Sequence, residues 1–295
     1  MRFADSDTRD CPLCGADSRP AFAKNGYTVA DCGACGHRFC ASPLDEAHLA
    51  TVYDDSYFFG GGDGYDDYLV EADLLRAQGV RYGQLLAGIV GSGRLLDVGC
   101  AAGFLQAGMA QAGWTTTGLE PNATMVNHAR SRLGLDVMQG TLESPPSLEP
   151  FDAVTLIQVI GHFFDLSRAL SSVRELTRAG GVCLIEYWRR ESTLARAFGT
   201  RWHEYSPPSV LHWFTRTSLD AAMAARGFVP IAHGAPKKYI SGGHARSLLE
   251  HKFAELPAGR VLAAPLSLVP KTLRIRYPSL DLEWRAYRRE GDPAG

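Results

Sequence analysis

The segment Arg94-Leu-Leu-Asp97-Val98-Gly99-Cys100-Ala101-Ala102-Gly103-Phe104-Leu105 limits the possible folds more than any other stretch of the chain. An apolar strand runs into a glycine-bearing turn, and the turn opens a helix that continues to about Ala112, where Gly113 ends it. Trp114 to Leu119 then reads as a second strand, finishing in Glu120-Pro121-Asn122. A strand, a glycine turn, a helix and a strand closing on an acidic residue make the opening of a doubly wound α/β sheet, whose second strand presents a carboxylate to ribose hydroxyls. That geometry selects a nucleoside.

The later sequence keeps to this plan. Asn122 is placed to cap a helix to Arg132, Asp136 to Gln139 reads as a third strand, and Phe151 to Ile157 is apolar enough to be a central fourth. A helix from Asp165 to Arg178 is expected to stop at Gly180-Gly181, with strand five over Val182 to Glu186. Ser218 to Ala225 reads as helix, Gly227-Phe228 starts strand six, and Leu280 to Arg288 alternates as a closing strand. Residues 240–279, punctuated by Pro257, Pro265, Pro270 and Pro278, form an insertion suited to a substrate wall. Upstream, Tyr68, Ala72, Leu75, Gly79, Tyr82, Leu86 and Ile89 recur at steps of four and three, the mark of an amphipathic helix over Asp67 to Ile89. The aromatic, acidic and glycine-rich run from Tyr53 to Tyr65 before it reads either as a solvated linker or as a mobile lid, and the lid is favoured because linkers seldom spend so many large aromatic side chains.

At the N-terminus, Cys11-Pro-Leu-Cys14-Gly15 and Cys32-Gly-Ala-Cys35-Gly36 are two copies of one device. Two C-x-x-C pairs give a closed four-thiolate site, which is the structural kind of zinc site. His37 and Cys40 lie close enough to replace a ligand, but Cys11, Cys14, Cys32 and Cys35 are the simpler set. Tyr27 to Asp31 between the pairs reads as a strand, and so small a ribbon draws much of its stability from metal. The expected division is therefore a zinc ribbon over 1–45, a lid and helical region over 46–92, and the doubly wound domain over 93–290.

Composition removes several alternatives. With 45% hydrophobic and 21% charged residues, 295 residues make neither a disordered chain nor a disulfide-rich miniprotein. A net charge of −2 supplies no field for nucleic acid. No apolar run reaches membrane-spanning length, and Asp5, Asp7 and Asp10 interrupt the place of a signal peptide, so a cytoplasmic protein is expected.

Two nucleoside ligands compete for the glycine turn. A dinucleotide wants G-x-G-x-x-G beside its pyrophosphate, whereas this turn has only Gly99 and Gly103 and begins with Asp97. A carboxylate repels pyrophosphate and attracts a ligand bearing sulfonium and ammonium groups, as S-adenosylmethionine does. Over residues 55–290 the chain resembles the class I S-adenosylmethionine-dependent methyltransferases, a Rossmann-like fold. Leu96-Asp97-Val98-Gly99-Cys100-Ala101-Ala102-Gly103 matches their first motif, with Ala101 where many members have glycine. Cys11 to Cys35 and the Tyr53, Tyr57, Phe58 element resemble the subgroup carrying an N-terminal zinc ribbon.

This resemblance implies a closing antiparallel strand pair at one sheet edge. It also implies a cofactor set of Asp97, Gly99, Cys100, Gly103, Glu120, Pro121, Thr141, Leu142 and Gln158, with Tyr57 or Phe58 facing the sulfonium. Leu142 and Thr141 would meet adenine, with Glu143 an alternative partner for its amine. His162 follows strand four, where relatives often carry a Glu-His pair; Gly161 replaces the glutamate, and His162 reads either as a base or as a histidine satisfied by backbone. Trp202-His203-Glu204-Tyr205 and Leu211-His212-Trp213-Phe214-Thr215 supply His203, Tyr205 and His212 as further candidates, although relatives place their histidine where Val210 stands. The expected activity is methyl transfer to a small-molecule acceptor, a hydroxyl of a sugar or natural product. The rivals are carbon methylation of a nucleotide-linked sugar and a non-catalytic binder on the same fold.

Overall fold

The computed structural model describes residues 9–42, 51–59, 68–243, 273–276 and 278–291, together with residues 45, 47 and 270. In chain order, β1 (Ser18–Lys24), β2 (Tyr27–Cys32) and β3 (Arg38–Cys40) form an antiparallel ribbon, followed by the short α1 (Asp55–Phe59) and the long α2 (Ala72–Val90). Strands and helices then alternate through β4 (Arg94–Val98), α3 (Phe104–Gln111), β5 (Thr115–Glu120), α4 (Ala123–Leu133), β6 (Val137–Gln139) and β7 (Phe151–Ile157). The remainder comprises α5 (Leu166–Leu176), β8 (Thr177–Trp188), α6 (Thr193–Phe198), β9 (His212–Trp213), α7 (Arg216–Ala224), β10 (Phe228–Gly234), β11 (Tyr239–Ser241), β12 (Arg274–Arg276) and β13 (Leu282–Arg289). The glycines of the expected lid at 60–64 and most of the expected insertion at 240–279 lie outside the described residues.

Seven strands form the main sheet in the order β10-β13-β8-β7-β4-β5-β6. The five from β8 to β6 run parallel, and β13 pairs antiparallel with both β8 and β10, so the expected antiparallel pair closes one edge. The winding reverses between β4 and β7, which opens a crevice at the carboxyl ends of β4, β5 and β7.

Strand side chains alternate between two cores, as the pleat requires. Leu96, Val98, Leu156 and Ile185 meet Leu166, Leu170 and Val173 of α5 on one face. Leu95, Ala153, Val182 and Leu184 meet Tyr82 and Leu86 of α2, Met109 of α3 and Trp114 on the other. The helices are capped as their sequences direct: Asn122 Oδ1 accepts from Met125 N and Asp165 Oδ1 from Arg168 N, both at 2.9 Å.

One boundary differs from the sequence reading. Helix α5 ends at Leu176 and β8 begins at Thr177, before Gly180-Gly181. Thr177 already pairs with Phe151, and the register shifts before Ala153 pairs with Val182. The two glycines therefore lie in a strand irregularity, with Gly180 in the left-handed region at φ 76°, instead of stopping a helix.

The ribbon is not a free appendage. Its last strand, β3, continues into β9, with Arg38 opposite Trp213 and Phe39 opposite His212, making a four-stranded sheet β1-β2-β3-β9. Among the described residues no helix is long and apolar enough to cross a membrane.

Helices α2 and α3 approach closely because glycine faces backbone at their crossing. A Cβ on Gly79 would lie 2.1 Å from Leu105 O, and one on Gly108 2.1 Å from Arg76 O, whereas Gly88 of α2 has open space. Gly79→Ala and Gly108→Ala are expected to cost about 1–3 kcal/mol or more through overpacking, seen as a fall of several degrees in melting temperature. Gly88→Ala, in the same helix, should raise stability by about 0.5–1 kcal/mol.

Candidate functional site

The crevice is built by the turns that follow β4 and β5. Asp97, 1% exposed, accepts from Thr155 Oγ1 of β7 through Oδ1 at 2.7 Å, while its buried Oδ2 has no hydrogen-bond partner. Glu120, at the end of β5, binds both turns: Oε2 accepts from Ala101 N and Oε1 from Asn122 N, each at 2.9 Å. Gly99 and Ala101 both have positive φ, 64° and 46°. Ala101 thus stands in a left-handed conformation that suits glycine better. Burial pushes both carboxyls up to about 7, with the Glu120 charge adding to the effect on Asp97 and the backbone donors partly opposing it at Glu120.

These turns border a cavity of about 420 Å³, within the size range of small-molecule sites. Of the residues singled out in the sequence, Tyr57, Phe58, Gly99, Glu120, Pro121, Thr141, Leu142, Gln158, His162 and His203 line it. Cys100 and Gly103 instead support the turn from below. Cys100 is buried against Val126, Ala129 and Val137, and a Cβ on Gly103 would lie 2.5 Å from Leu135 Cδ1.

Tyr205 and His212, expected as acceptor contacts, lie off the cavity lining and face the ribbon. The Tyr205 hydroxyl accepts from Arg38 Nη1 at 2.7 Å, and its ring packs on Phe22, Trp202 and Trp213. His212 is 3% exposed, with Nδ1 3.1 Å from His37 Nε2 and Nε2 2.9 Å from the Phe163 carbonyl. Burial holds the His212 pKa down at about 3. A ring with both nitrogens occupied and so low a proton affinity is a docking element.

His162 is tied by its Nδ1, which lies 2.6 Å from the Ser209 carbonyl and 2.5 Å from the Tyr53 hydroxyl. The same hydroxyl donates to the Ser209 carbonyl at 2.5 Å. Burial keeps His162 below its ordinary pKa of 6.5, so the ring is neutral near pH 7. The start of the expected lid is thereby docked: Asn122 Nδ2 donates to Tyr53 O and to Asp55 Oδ1, each at 3.1 Å, and Thr124 Oγ1 donates to Asp55 Oδ2 at 3.0 Å. Phe58 packs with Tyr68, Ala101 and Phe104 over the glycine turn.

Gln158 and Glu143 are among the expected residues, whereas Trp188, Glu204 and Lys238 are site groups that the sequence reading misses. Gln158, in the left-handed region at φ 59°, donates through Nε2 to Glu186 Oε1 at 2.6 Å and accepts from Lys238 Nζ at 3.2 Å. The other Glu186 oxygen is held by Gln78 Nε2 and the Tyr82 hydroxyl. Trp188, Glu204 and Lys238 also line the cavity. Glu204 lies between His203 and Tyr205, both expected site residues, whereas nothing local marks Lys238. Glu143 accepts from Phe164 N through Oε1 at 3.1 Å and has its buried Oε2 unpartnered, and burial raises its pKa.

A family model described as a methyltransferase domain matches residues 59–233. The chain belongs to this methyltransferase family. Among curated relatives, a ubiquinone biosynthesis O-methyltransferase of Rhodopseudomonas palustris (strain BisB18) is 31% identical over 97 residues, covering 31% of this chain and 38% of the relative. One from Azorhizobium caulinodans is 27% identical over 150 residues, covering 46% and 58%. The chain thus spans 38% to 58% of the length of these two relatives.

Two solved structures share the methyltransferase fold. The 1,6-didemethyltoxoflavin-N1-methyltransferase of Burkholderia thailandensis, with bound 1,6-didemethyltoxoflavin and S-adenosylhomocysteine, superposes with a TM-score of 0.52 at 15% identity, covering 92% of this chain and 100% of that one. The magnesium protoporphyrin IX methyltransferase of Synechocystis PCC 6803, with bound SAH, gives 0.52 at 13% identity, covering 83% and 100%.

The methyltransferase crevice carries a donor-poor, acceptor-rich set: the unpartnered oxygens of Asp97 and Glu143, and the spare lone pairs of Glu120. This set fits a ligand rich in donors, with an ammonium, a ribose diol and an exocyclic amine, as S-adenosylmethionine has. In the ribbon, the sulfurs of Cys11, Cys14, Cys32 and Cys35 lie within 4.8 Å of one another, with Cys11–Cys35 at 3.6 Å and Cys14–Cys32 at 3.5 Å. A tetrahedral zinc with bonds of about 2.3 Å sets its sulfurs about 3.8 Å apart, so the cluster fits that ion. Gly15 and Gly36 turn the chain after each pair at φ 69° and 68°, and His37 and Cys40 are not in the cluster.

The buried Asp97 carboxyl makes the stability of the unliganded methyltransferase depend on pH. Its native pKa of about 7 exceeds the ordinary 3.8. The native state therefore binds the proton more tightly, and stability falls as pH rises from about 4 through 7. The loss is up to about 4 kcal/mol above that range. Asp97→Asn, which cannot ionise, should melt at a higher temperature than wild type at pH 8 without ligand, and the difference should shrink toward pH 4.

Proposed function

We propose that this chain transfers the methyl group of S-adenosylmethionine to a hydroxyl of a small-molecule acceptor. The observation that carries this reading is the pair of buried carboxylates at neighbouring strand ends: Glu120 lines the cavity, and Asp97, itself off the lining, directly precedes Val98 and Gly99, which line it. The cofactor, when bound, supplies a methyl group activated by a sulfonium, so the protein's main task is positioning.

Asp97 holds the ammonium end, where its free oxygen gains the donor that it lacks. Glu120 takes the ribose hydroxyls on lone pairs not used by Ala101 and Asn122. Thr141 and Leu142 flank the adenine, and Glu143 accepts from its amine. Tyr57 and Phe58 border the cationic part, an arrangement worth about 0.5–2 kcal/mol for an aromatic face. Gln158 sits beside the methionine portion. His162 acts by holding Tyr53, and with it the start of the lid, against Ser209.

Zinc in the four-cysteine cluster is the structural companion of this activity. The ribbon over 1–45, the lid and helical region over 46–92 and the Rossmann-like domain over 93–290 remain useful units of description. A cluster of reduced thiols is at home in a reducing compartment, in keeping with a cytoplasmic enzyme. The net charge of −2 favours a small acceptor over nucleic acid.

Isothermal titration at pH 7.5 tests the cofactor assignment. Wild type should bind S-adenosylmethionine with micromolar affinity, and Asp97→Ala should bind about 10- to 100-fold more weakly, the value of one charge-assisted hydrogen bond. Absence of binding by wild type would overturn the proposal. Metal analysis of the purified protein should find about one zinc per chain, and Cys14→Ser together with Cys32→Ser should lose it along with several degrees of melting temperature. A metal-free wild type of unchanged melting temperature would remove zinc from the scheme.

A further inference from the structure

Beyond Gln158, the cavity is walled by Trp188 at the end of β8, by His203 and Glu204 from the segment before β9, and by Lys238 and Tyr239 at the start of β11. Lys238 Nζ lies 3.2 Å from Gln158 Oε1 and 5.5 Å from the centre of the Trp188 ring. Burial lowers the Lys238 pKa from its ordinary value, and four carboxylates, those of Glu186, Glu204, Glu71 and Asp281, oppose that by favouring its ammonium form. Glu71 is held by Ser241 Oγ and Glu186 by Gln158 and Gln78, while Asp281, which accepts from Trp202 Nε1 and keeps Oδ1 unpartnered, lies off the cavity lining. Glu204 differs. Its backbone carbonyl is fixed by Trp213 Nε1 at 2.6 Å, but its carboxylate has only a 3.4 Å approach from His203 Nε2 among the described residues. A carboxylate with spare accepting capacity and a lysine amine thus border the same cavity, the amine over the face of Trp188.

Building on the methyl-transfer reading, we propose that Glu204 and Lys238 are the proton acceptor and the oxyanion holder for an acceptor whose hydroxyl is attached to an aromatic ring. In the transfer, the acceptor O–H bond breaks and its proton passes to the Glu204 carboxylate. The oxygen's electron pair forms the new O–CH3 bond as the S–CH3 bond breaks, the sulfur keeps that bond's electrons as a neutral thioether, and Glu204 later returns its proton to water. Lys238 steadies the charge that develops on oxygen before the methyl arrives.

The aromatic class follows from the aromatic side chains that line this cavity, Tyr53, Tyr57, Trp188 and Tyr239, and the proton affinities agree with it. Burial, with Asp281 nearby, raises the Glu204 pKa to about 8 while Lys238 opposes the rise. A base of that strength lies within reach of a phenol near 10, but far from a hydroxyl such as that of water near 15.7. The charged or titratable groups facing Glu204 are His203 on its own segment, Lys238 before β11, Asp281 before β13 and Tyr53 from the lid.

The test uses wild type, Glu204→Gln and Lys238→Met in the full chain, with S-adenosylhomocysteine affinity measured first as the check on folding and on the cofactor site. With that compound bound, 4-nitrophenol at pH 6 should be held as its visible-absorbing anion by wild type, and Lys238→Met should bind the anion about tenfold more weakly or not at all. With S-adenosylmethionine and catechol as probe, wild-type turnover should fall as pH drops below about 8, and Glu204→Gln should lose about 100-fold or more together with that limb of the profile. A wild type that binds the cofactor product but neither phenol overturns the proposal, as do variants that match wild type or turnover of methyl glucoside in place of catechol. A wild type that fails to bind S-adenosylhomocysteine overturns the methyl-transfer reading instead, which keeps the two failures apart.

Discussion

One carboxylate ties the two halves of the crevice together. Glu120 accepts the Ala101 N–H on one oxygen and the Asn122 N–H on the other, so the turn after β4 and the turn after β5 share an anchor. Buried backbone donors left unpaired cost about 1–3 kcal/mol each, and Glu120 satisfies two of them with a single side chain. The same bonds orient its remaining lone pairs before any ligand arrives. Gly99 completes the arrangement by donating to Leu119 O at 2.7 Å, which draws the glycine turn onto the neighbouring strand. The crevice is shaped by backbone accounting first, and its chemistry follows from what that accounting leaves over.

A second constraint joins the ribbon to the crevice. Cys40 N donates to Leu211 O at 2.8 Å, while Leu211 N and His212 N both donate to Gly161 O, at 2.7 and 3.0 Å. The strand that completes the ribbon sheet is therefore also bonded to the loop carrying His162. Side chains reinforce the path: Arg38 is paired bidentately with Asp31 at 2.7 and 2.6 Å and reaches the Tyr205 hydroxyl, and Arg190 bonds Asp31 and the Gly36 carbonyl. Gly36 directly follows the second cysteine pair, so these bonds join the cysteine cluster to the segment that carries Glu204. This explains why His212 and Tyr205 are buried polar groups without being part of the cavity.

What the sequence disclosed, and what it did not, divides along the range of the interactions. The strand, turn and helix around Asp97, the caps at Asn122 and Asp165, and the doubled cysteine pairs are local devices, so their spacing alone marks them. The start of β8 was misplaced because Gly180-Gly181 serve equally well as a helix stop and as a strand irregularity, and only pairing with Phe151 decides between them. Tyr205 and His212 looked like pocket residues because aromatic side chains with polar tips suit a binding wall and a domain interface alike. Lys238 was invisible for the opposite reason. It has no motif around it, and its meaning comes from Gln158, Trp188 and the surrounding carboxylates, which approach only once the sheet is wound.

The carboxylates also set the energetic character of the site. Asp97, Glu120 and Glu204 are all raised in pKa by burial, each against a background of partial compensation from the groups around it. Local rules disfavour such a concentration, and proteins tolerate it where function demands it. Here the cost is unequal along the cavity. At the Asp97 end an oxygen stands without a donor, so a cationic ligand relieves the protein as it binds and appears as a gain in stability. At the Glu204 end the carboxylate and the Lys238 amine border the same cavity, and on the proposed reading a neutral acceptor would find there both a destination for its proton and a partner for the charge left behind. On that reading the buried acids would ask for opposite things, a fixed positive charge at Asp97 and a transferable proton at Glu204.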